Sequence, residues 1–304
     1  MKKKKKILIL GGTGYLGSNI AISLSKECDV TVTGKQPLKI FLKENFFKNS
    51  IQYKQLKLSD FKSDLEFIES FHQIVFAIPN LQPHISRPLF HSDFLDIVSP
   101  TKKIFKFASS KNIKIIFLSS GGSVYGNNNQ SMNSETSDLK PVTRYGKIKL
   151  MLDNYLTNLN NEYDAKNVSI RISNPYGGTF DNLYRQGFIN TLLYNINKGK
   201  PIDIWGDGKQ IRDFIFFEDV IGLISLMVHK DGHGIFNCGT GIGHSLNQVV
   251  KACELILNER IPVTYFTEYK EKIDSNVLNV SKAKEFYGWT PSFKLEGTLS
   301  ALLK

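Results

Sequence analysis

The chain has 304 residues and 41% hydrophobic content, enough to bury a large core in two closely joined lobes. Its net charge of +11 would suit nucleic acid, but five lysines stand together in Lys2 to Lys6 and the rest are scattered, so an anionic small ligand accounts for the balance and no nucleic-acid partner is expected. No apolar run approaches the roughly 18 residues that a membrane span needs, and the short run after Lys6 ends without a small-residue cleavage site, so neither insertion nor export is implied.

Ile7-Leu8-Ile9-Leu10 has no polar alternation, which predicts a parallel strand covered on both faces. It passes into Gly11-Gly12-Thr13-Gly14-Tyr15-Leu16-Gly17, and Asn19 to Ser25 carries the apolar spacing of a helix. Strand, glycine turn and helix together predict a dinucleotide cradle: Gly11 for the tight turn, Gly14 for backbone approach to a pyrophosphate, Gly17 for close helix packing, with Thr13, Tyr15 and Leu16 lining the same turn. Val30 to Thr33 reads as the second strand, and the loop Gly34-Lys35-Gln36-Pro37 lies where an adenosine ribose belongs. An acidic residue there would accept from the ribose 2′-hydroxyl; Gly34 offers none and Lys35 offers a cation, which favours NADP over NAD.

Ile51 to Leu58 is predicted as the third strand, followed by a helix through Phe71 that Asp60 caps, the alternative for Asp60 being to face adenine. Gln73 to Ile78 reads as the fourth strand, with Ala77 and Ile78 at its cofactor end and Pro79-Asn80 leaving it. A helix over Asp93 to Ser110 precedes a fifth strand, Ile113 to Leu118. This alternation predicts a doubly wound parallel sheet of Rossmann type, with ligands outside the carboxyl ends of the strands.

Beyond strand five comes Ser119-Ser120-Gly121-Gly122-Ser123-Val124-Tyr125-Gly126, and further on Tyr145-Gly146-Lys147-Ile148-Lys149 opens a helix. Tyr145 and Lys149 share a helix face. The ammonium can lower the phenol's proton affinity and hold a nicotinamide ribose while the phenolate exchanges a proton with a substrate hydroxyl.

The order of motifs resembles the extended short-chain dehydrogenase/reductase superfamily, specifically its NAD(P)-dependent nucleotide-sugar epimerases, dehydratases and reductases. The resemblance runs through Gly11 to Gly17, Ser119 to Gly126, Tyr145 with Lys149, Arg171 to Gly177, Trp205-Gly206-Asp207-Gly208, Arg212-Asp213-Phe214 with Glu218-Asp219-Val220, Phe236 to Gly241, and Gly288-Trp289-Thr290-Pro291. It implies that Asn174 contacts a substrate diphosphate, that Arg212 pairs with it, and that the segment around Trp205 lies along the nucleotide. A guanidinium fork suits phosphate oxygens, although an internal ion pair of Arg212 with Asp213 or Asp219 is the alternative.

Three departures limit the resemblance. The family's catalytic Ser or Thr falls at Gly121, so Ser120, Ser123 or a water must serve. The adenine-side aspartate falls at Lys57. Gly122-Ser123 replaces the acidic pair of dehydratases, which removes the acid and base for eliminating water. The expected enzyme is therefore an epimerase of a nucleotide diphospho-sugar, acting at C4 through a 4-keto intermediate. The alternatives are an NADPH-dependent 4-keto-sugar reductase and, more remotely, a non-catalytic NADP-binding regulator.

The expected division is a dinucleotide-binding domain over 1–176 and a smaller C-terminal α/β substrate lobe over 177–304, with Val168 to Ile172 and a strand near 234–238 returning to the main sheet. Cys28, Cys238 and Cys253 are odd in number and far apart, which argues for a reducing, cytoplasmic compartment. The histidines lack ligand spacing, so no metal is expected. A homodimer completes the expectation.

Overall fold

The structure is a computed structural model that describes residues 4–62, 65–78, 91–127, 130–178, 186–267 and 273–304. In chain order its first elements are β1 (Lys6–Leu10), α1 (Tyr15–Leu24), β2 (Asp29–Gly34), α2 (Ile40–Lys48), β3 (Gln52–Gln55) and β4 (Gln73–Phe76). There follow α3 (His91–Asp93), α4 (Ser99–Ser110), β5 (Lys114–Ser120), α5 (Gly121–Val124), α6 (Arg144–Tyr163), β6 (Val168–Ile172) and β7 (Asn174–Tyr176). The remainder comprises α7 (Phe188–Asn197), β8 (Ile202–Trp205), β9 (Ile211–Phe216), α8 (Phe217–His229), β10 (Gly234–Cys238), β11 (Gly243–Ser245), α9 (Leu246–Leu257), β12 (Val263–Phe266), β13 (Ser275–Asn276), α10 (Ser281–Tyr287) and α11 (Leu295–Leu302).

Contacts divide the chain into two compact units: Met1–Ser119 with Arg144–Ile170 and Ile224–Phe236, and Ser120–Thr143 with Arg171–Leu223 and Asn237–Lys304. The first is built on a seven-stranded sheet of order β10-β6-β5-β4-β1-β2-β3, in which β3, β2, β1, β4 and β5 pair in parallel. Leu8, Leu10, Ile74, Phe76, Ile115 and Phe117 pack on α4 and α6, and the alternate residues Ile7, Ile9, Val75 and Ile116 are equally inaccessible. Both faces are thus covered, as the unbroken apolar runs require. Phe76, Phe105 and Phe117 meet edge to face, with centroids 5.2 to 5.9 Å apart.

Two segments differ from expectation. Strand three stops at Gln55, and the helix expected from Asp60 to Phe71 is replaced by 3₁₀ turns over Leu58–Lys62 and Glu66–Ser70. The apolar spacing explains this: Leu58 to Phe61 and Leu65 to Ile68 to Phe71 each step by three, the repeat of a 3₁₀ turn, and all five reach the core. Asp60 caps no helix toward Phe71; it lies inside the first turn, where its carboxylate accepts from the Lys57 amide at 2.7 Å. The long helix before β5 contains a π turn over Phe94–Val98, where the Ser99 amide reaches Phe94. Pro100 follows it and has no amide to continue the ordinary ladder.

At the carboxyl end of α8, Lys5 and Gln73 donate to the Val228 carbonyl at 2.8 and 3.0 Å, and the buried Lys114 ammonium donates to those of Met227 and Lys230 at 2.6 and 3.1 Å. Carbonyls at and just past the helix end are thereby satisfied, each of the three by a cation that suits its negative pole. Burial pushes the Lys114 ammonium down to about 8, against the opposing pull of Asp231.

The second unit centres on β9, which pairs in parallel with β7 and β13 and antiparallel with β11, while β8 pairs with β12. Its core joins Phe214 and Phe216 to Ile189, Leu192, Val249 and Leu299. The late Gly-Trp-Thr-Pro motif is tied to Asp219: the Trp289 indole donates to its carbonyl at 3.1 Å, and its carboxylate accepts from Ser292 and the Phe293 amide.

Candidate active site

In the first unit the glycine turn leaves β1 with Gly11 at φ +81°, a conformation that suits glycine. A Cβ at Gly11 would meet the Ala77 and Ile78 backbone at 2.9 Å, and one at Gly17 would meet the Gly11 carbonyl oxygen at 2.3 Å. Neither position admits a side chain. Gly12 is closed as well, by Val32 at 2.4 Å, a constraint that lies across the sheet and is not visible in the motif. Gly14 precedes α1, whose ten residues begin with no side-chain cap and no acidic residue in the first turn. At Gly14 the nearest atom to an added Cβ would be the Gly11 carbonyl oxygen at 3.3 Å. A positive helix end next to bare backbone is the arrangement that receives a pyrophosphate, so the residues present fit a dinucleotide. Thr13 and Leu16 are half-buried around this turn and Tyr15 is buried.

Gly34 ends β2 against Thr13: a Cβ there would lie 2.6 Å from the Thr13 hydroxyl oxygen. Position 34 therefore has no room for the carboxylate that would meet a ribose 2′-hydroxyl while Thr13 keeps its place. Lys35 is exposed. The loop backbone is held by Tyr53, whose hydroxyl meets the Gly34 carbonyl at 3.1 Å and also that of Gln36, and by Gln55, which donates to the Lys35 carbonyl at 3.5 Å. Ala77 and Ile78 lie just past β4, where the Ala77 amide donates to Leu10 at 2.8 Å. Pro79 and Asn80 lie outside the described residues.

Tyr145 and Lys149 occupy the first turns of α6, as their spacing predicts. Lys149 is 2% exposed; its ammonium donates to the Leu118 carbonyl of β5 at 2.7 Å and lies 4.7 Å from the Phe117 ring centre and 5.6 Å from that of Tyr145. Burial pushes this ammonium down to about 8, and the Asp153 carboxylate opposes the shift. Tyr145 is half-buried. An ion pair between Arg144 and Asp93, both largely buried, fastens the start of α6 beside Tyr145.

In the second unit Ser120 is buried at the end of β5, and Ser123 is half-buried in α5. The missing hydroxyl at 121 has a packing cause: a Cβ on Gly121 would lie 2.5 Å from the Leu278 Cδ1 and 3.0 Å from the Arg171 carbonyl oxygen. Gly122 faces Asn174, whose amide group lies 3.6 Å from where its Cβ would be and donates to the Asp213 carbonyl at 2.9 Å. Arg212 is half-buried on β9, with one guanidinium nitrogen donating to the Ile211 carbonyl at 2.8 Å. Asp213 accepts from the amides of Thr240, Gly241 and Leu278 at 2.8 to 3.2 Å, and Asp219 is taken by Ser292 and Phe293. Trp205 is half exposed, with one face stacked on Phe266 at 4.7 Å between centroids. Tyr125, by contrast, is internal, sharing hydrogen bonds with Asn237 and Arg171.

Residues 7–239 match the NAD dependent epimerase/dehydratase family. The chain belongs to this family. Its curated relatives include the dTDP-4-dehydro-6-deoxyglucose reductase of Escherichia coli, 30% identical over 99% of this chain and 98% of that one. Among solved structures, the UDP-glucose 4-epimerase of Thermotoga maritima with UDP-glucose is similar at 26% identity, covering 98% of this chain and 97% of that one with a TM-score of 0.88. The UDP-glucose 4-epimerase of Thermus thermophilus, a complex with NAD, shares the fold at 22% identity, with a TM-score of 0.87 over 98% of this chain and 97% of that one. Membership makes the protein an enzyme that uses a nicotinamide dinucleotide, in agreement with the cradle at Gly11 to Gly17. Sequence reasoning missed Thr13 as the neighbour that closes position 34, Leu278 as the neighbour that closes position 121, and Asp153 behind Lys149. Only Asp153 left a local signal, a carboxylate one helical turn after the lysine.

Proposed function

We propose that this family member is an epimerase of a nucleotide diphospho-sugar, inverting C4 through a 4-keto intermediate. The observation that carries the reading is the Tyr145 and Lys149 pair, a half-buried phenol one helical turn from an ammonium enclosed beside the end of β5. When bound, the nicotinamide supplies reversible hydride acceptance. Tyr145 takes the proton of the C4 hydroxyl and returns it after the keto-sugar has turned; Lys149 holds the ribose and eases loss of the phenolic proton. Ser120 and Ser123 supply the hydroxyls that Gly121 lacks. Asn174 and Arg212 bind the diphosphate, and the free face of the Trp205 and Phe266 stack takes the base. The epimerase with UDP-glucose among its structural relatives supports the substrate class.

A one-way 4-keto-sugar reductase is the second reading, favoured by the loop at Gly34 and Lys35 and by the Escherichia coli relative. That loop supports NADP, with Lys35 toward the 2′-phosphate. The reading includes a cytoplasmic homodimer; the three cysteines, buried and free, suit a reducing compartment, and light scattering tests the assembly. To separate the two activities, UDP- and dTDP-linked hexoses and their 4-keto derivatives are incubated with the protein, and the cofactor released on denaturation is identified. Interconversion of C4 epimers with retained oxidised cofactor supports the epimerase. One-way consumption of NADPH with an empty site as purified overturns it in favour of the reductase.

A further inference from the structure

Two elements of the first unit face Lys149, and a third reaches the carboxylate beside it. β5 presents the Leu118 carbonyl and the Phe117 ring, and α6 presents the Tyr145 ring and, one turn on, Asp153. β6 contributes Ser169, whose hydroxyl donates to Asp153 Oδ1. Asp153 is 0% exposed and Ser169 2%, so the carboxylate and the serine are as deeply buried as the lysine. The Leu118 carbonyl and the Phe117 ring carry no charge, the Tyr145 phenol can itself titrate, and Asp153 is the carboxylate that acts on the ammonium. We propose that Asp153 is a positioning residue: its carboxylate, oriented by Ser169, keeps Lys149 protonated and directed at the end of β5, where ribose and Tyr145 need it. The inference rests on the roles given above to Tyr145 and Lys149.

The direction follows from the chemistry of burial. Enclosure disfavours the ammonium, an opposite charge favours it, and with the lysine already at about 8 the margin above neutral pH is small. Asparagine at 153 keeps the shape and the acceptor for Ser169 but removes the charge, so the lysine gives up its proton at lower pH.

The test is the pH dependence of two quantities, kcat/KM and, without sugar, the Kd of the nicotinamide cofactor, in wild type, Asp153→Asn, Asp153→Glu and Ser169→Ala. In Asp153→Asn the alkaline limb of both should move down by about one pH unit, a loss of about tenfold at pH 8.5 that shrinks to within about twofold at pH 6. Asp153→Glu should keep the limb near its wild-type position, and Ser169→Ala should shift it the same way by less. A uniform loss at every pH, or an unmoved limb, overturns the proposal. If Asp153→Asn does not fold, Ser169→Ala decides by the same limb. A moving limb in cofactor affinity without any sugar turnover would uphold the role of Asp153 while sinking the substrate reading.

Discussion

Gly121→Ser supplies the hydroxyl that the family resemblance implies at this position, yet the packing around this glycine sets the opposite expectation to a gain. The new Cβ would lie 2.5 Å from Leu278 Cδ1, 3.2 Å from its Cδ2 and 3.0 Å from the Arg171 carbonyl oxygen, a backbone atom that cannot rotate away. Leu278 is inaccessible, and its amide is held by Asp213 at 3.2 Å, while the Gly121 carbonyl is fixed by the Asn276 amide at 3.0 Å. Overpacking of this kind costs about 1–3 kcal/mol. At about 2–4 °C per kcal/mol for a chain of this order of size, the melting temperature should fall by about 2–12 °C. Turnover should fall too, because the displaced segment carries Ser120 and Ser123. Thermal melting and kcat are measured in Gly121→Ser, Leu278→Ala and the double variant. Leu278→Ala alone costs about 2–5 kcal/mol, but in its background the serine should cost less than in wild type, because the colliding methyl groups are gone and only the contact with the Arg171 carbonyl remains. Unchanged melting with raised turnover in Gly121→Ser would refute the reasoning and show that the loop has room for a side chain.

Tyr145→Phe should abolish turnover while cofactor affinity stays within about threefold, since it removes a transferable proton and little surface; residual activity within tenfold of wild type would mean that another group is the acid/base. Lys149→Met should lose both rate and cofactor affinity, and unchanged affinity would remove its ribose role. The folded Lys114 at about 8 lies below its free value of 10.5, so between those values the unfolded chain binds more protons and stability rises with pH. Urea midpoints at pH 7.5 and 9.5 should therefore rise less in Lys114→Met than in wild type; an equal rise in both would remove Lys114 from the account. Lys35→Ala should weaken NADP by roughly ten- to a hundred-fold at low salt and less at high salt, leaving NAD unchanged; an untouched preference would mean that Lys35 points to solvent.

The parts of the fold legible in the sequence were those fixed by neighbours along the chain. Ile7 to Leu10, the glycines after them and the Tyr145 to Lys149 spacing each declare their conformation within a few residues, and the structure has β1, the turn and α6 at those positions. Leu58 to Phe71 misled because its apolar residues suit a helix face at low resolution, and only the strict step of three distinguishes the 3₁₀ turns that form. Asp60, expected to cap that helix, instead sits inside the first turn and accepts from the Lys57 amide before it.

What the sequence withheld is the partner across the fold. Gly34 and Gly121 looked like lost functional groups, an absent carboxylate and an absent hydroxyl, and in one dimension nothing distinguishes a loss from an exclusion. In space each glycine faces a residue far away in the chain, Thr13 in one case and Leu278 in the other, close enough that a Cβ would overlap it. A single reversion to the family residue at either position would collide before it could function, so the departures and their neighbours must be exchanged together. Thr13 belongs to the same turn as Gly11 and Gly14, which couples the shape of the pyrophosphate cradle to the group available beside the ribose. On the proposed reading, cofactor choice would depend on how Thr13 packs on the end of β2 as well as on the charge of Lys35, and exchanging Lys35 alone for an acid would remove the cation without making room for a carboxylate at position 34.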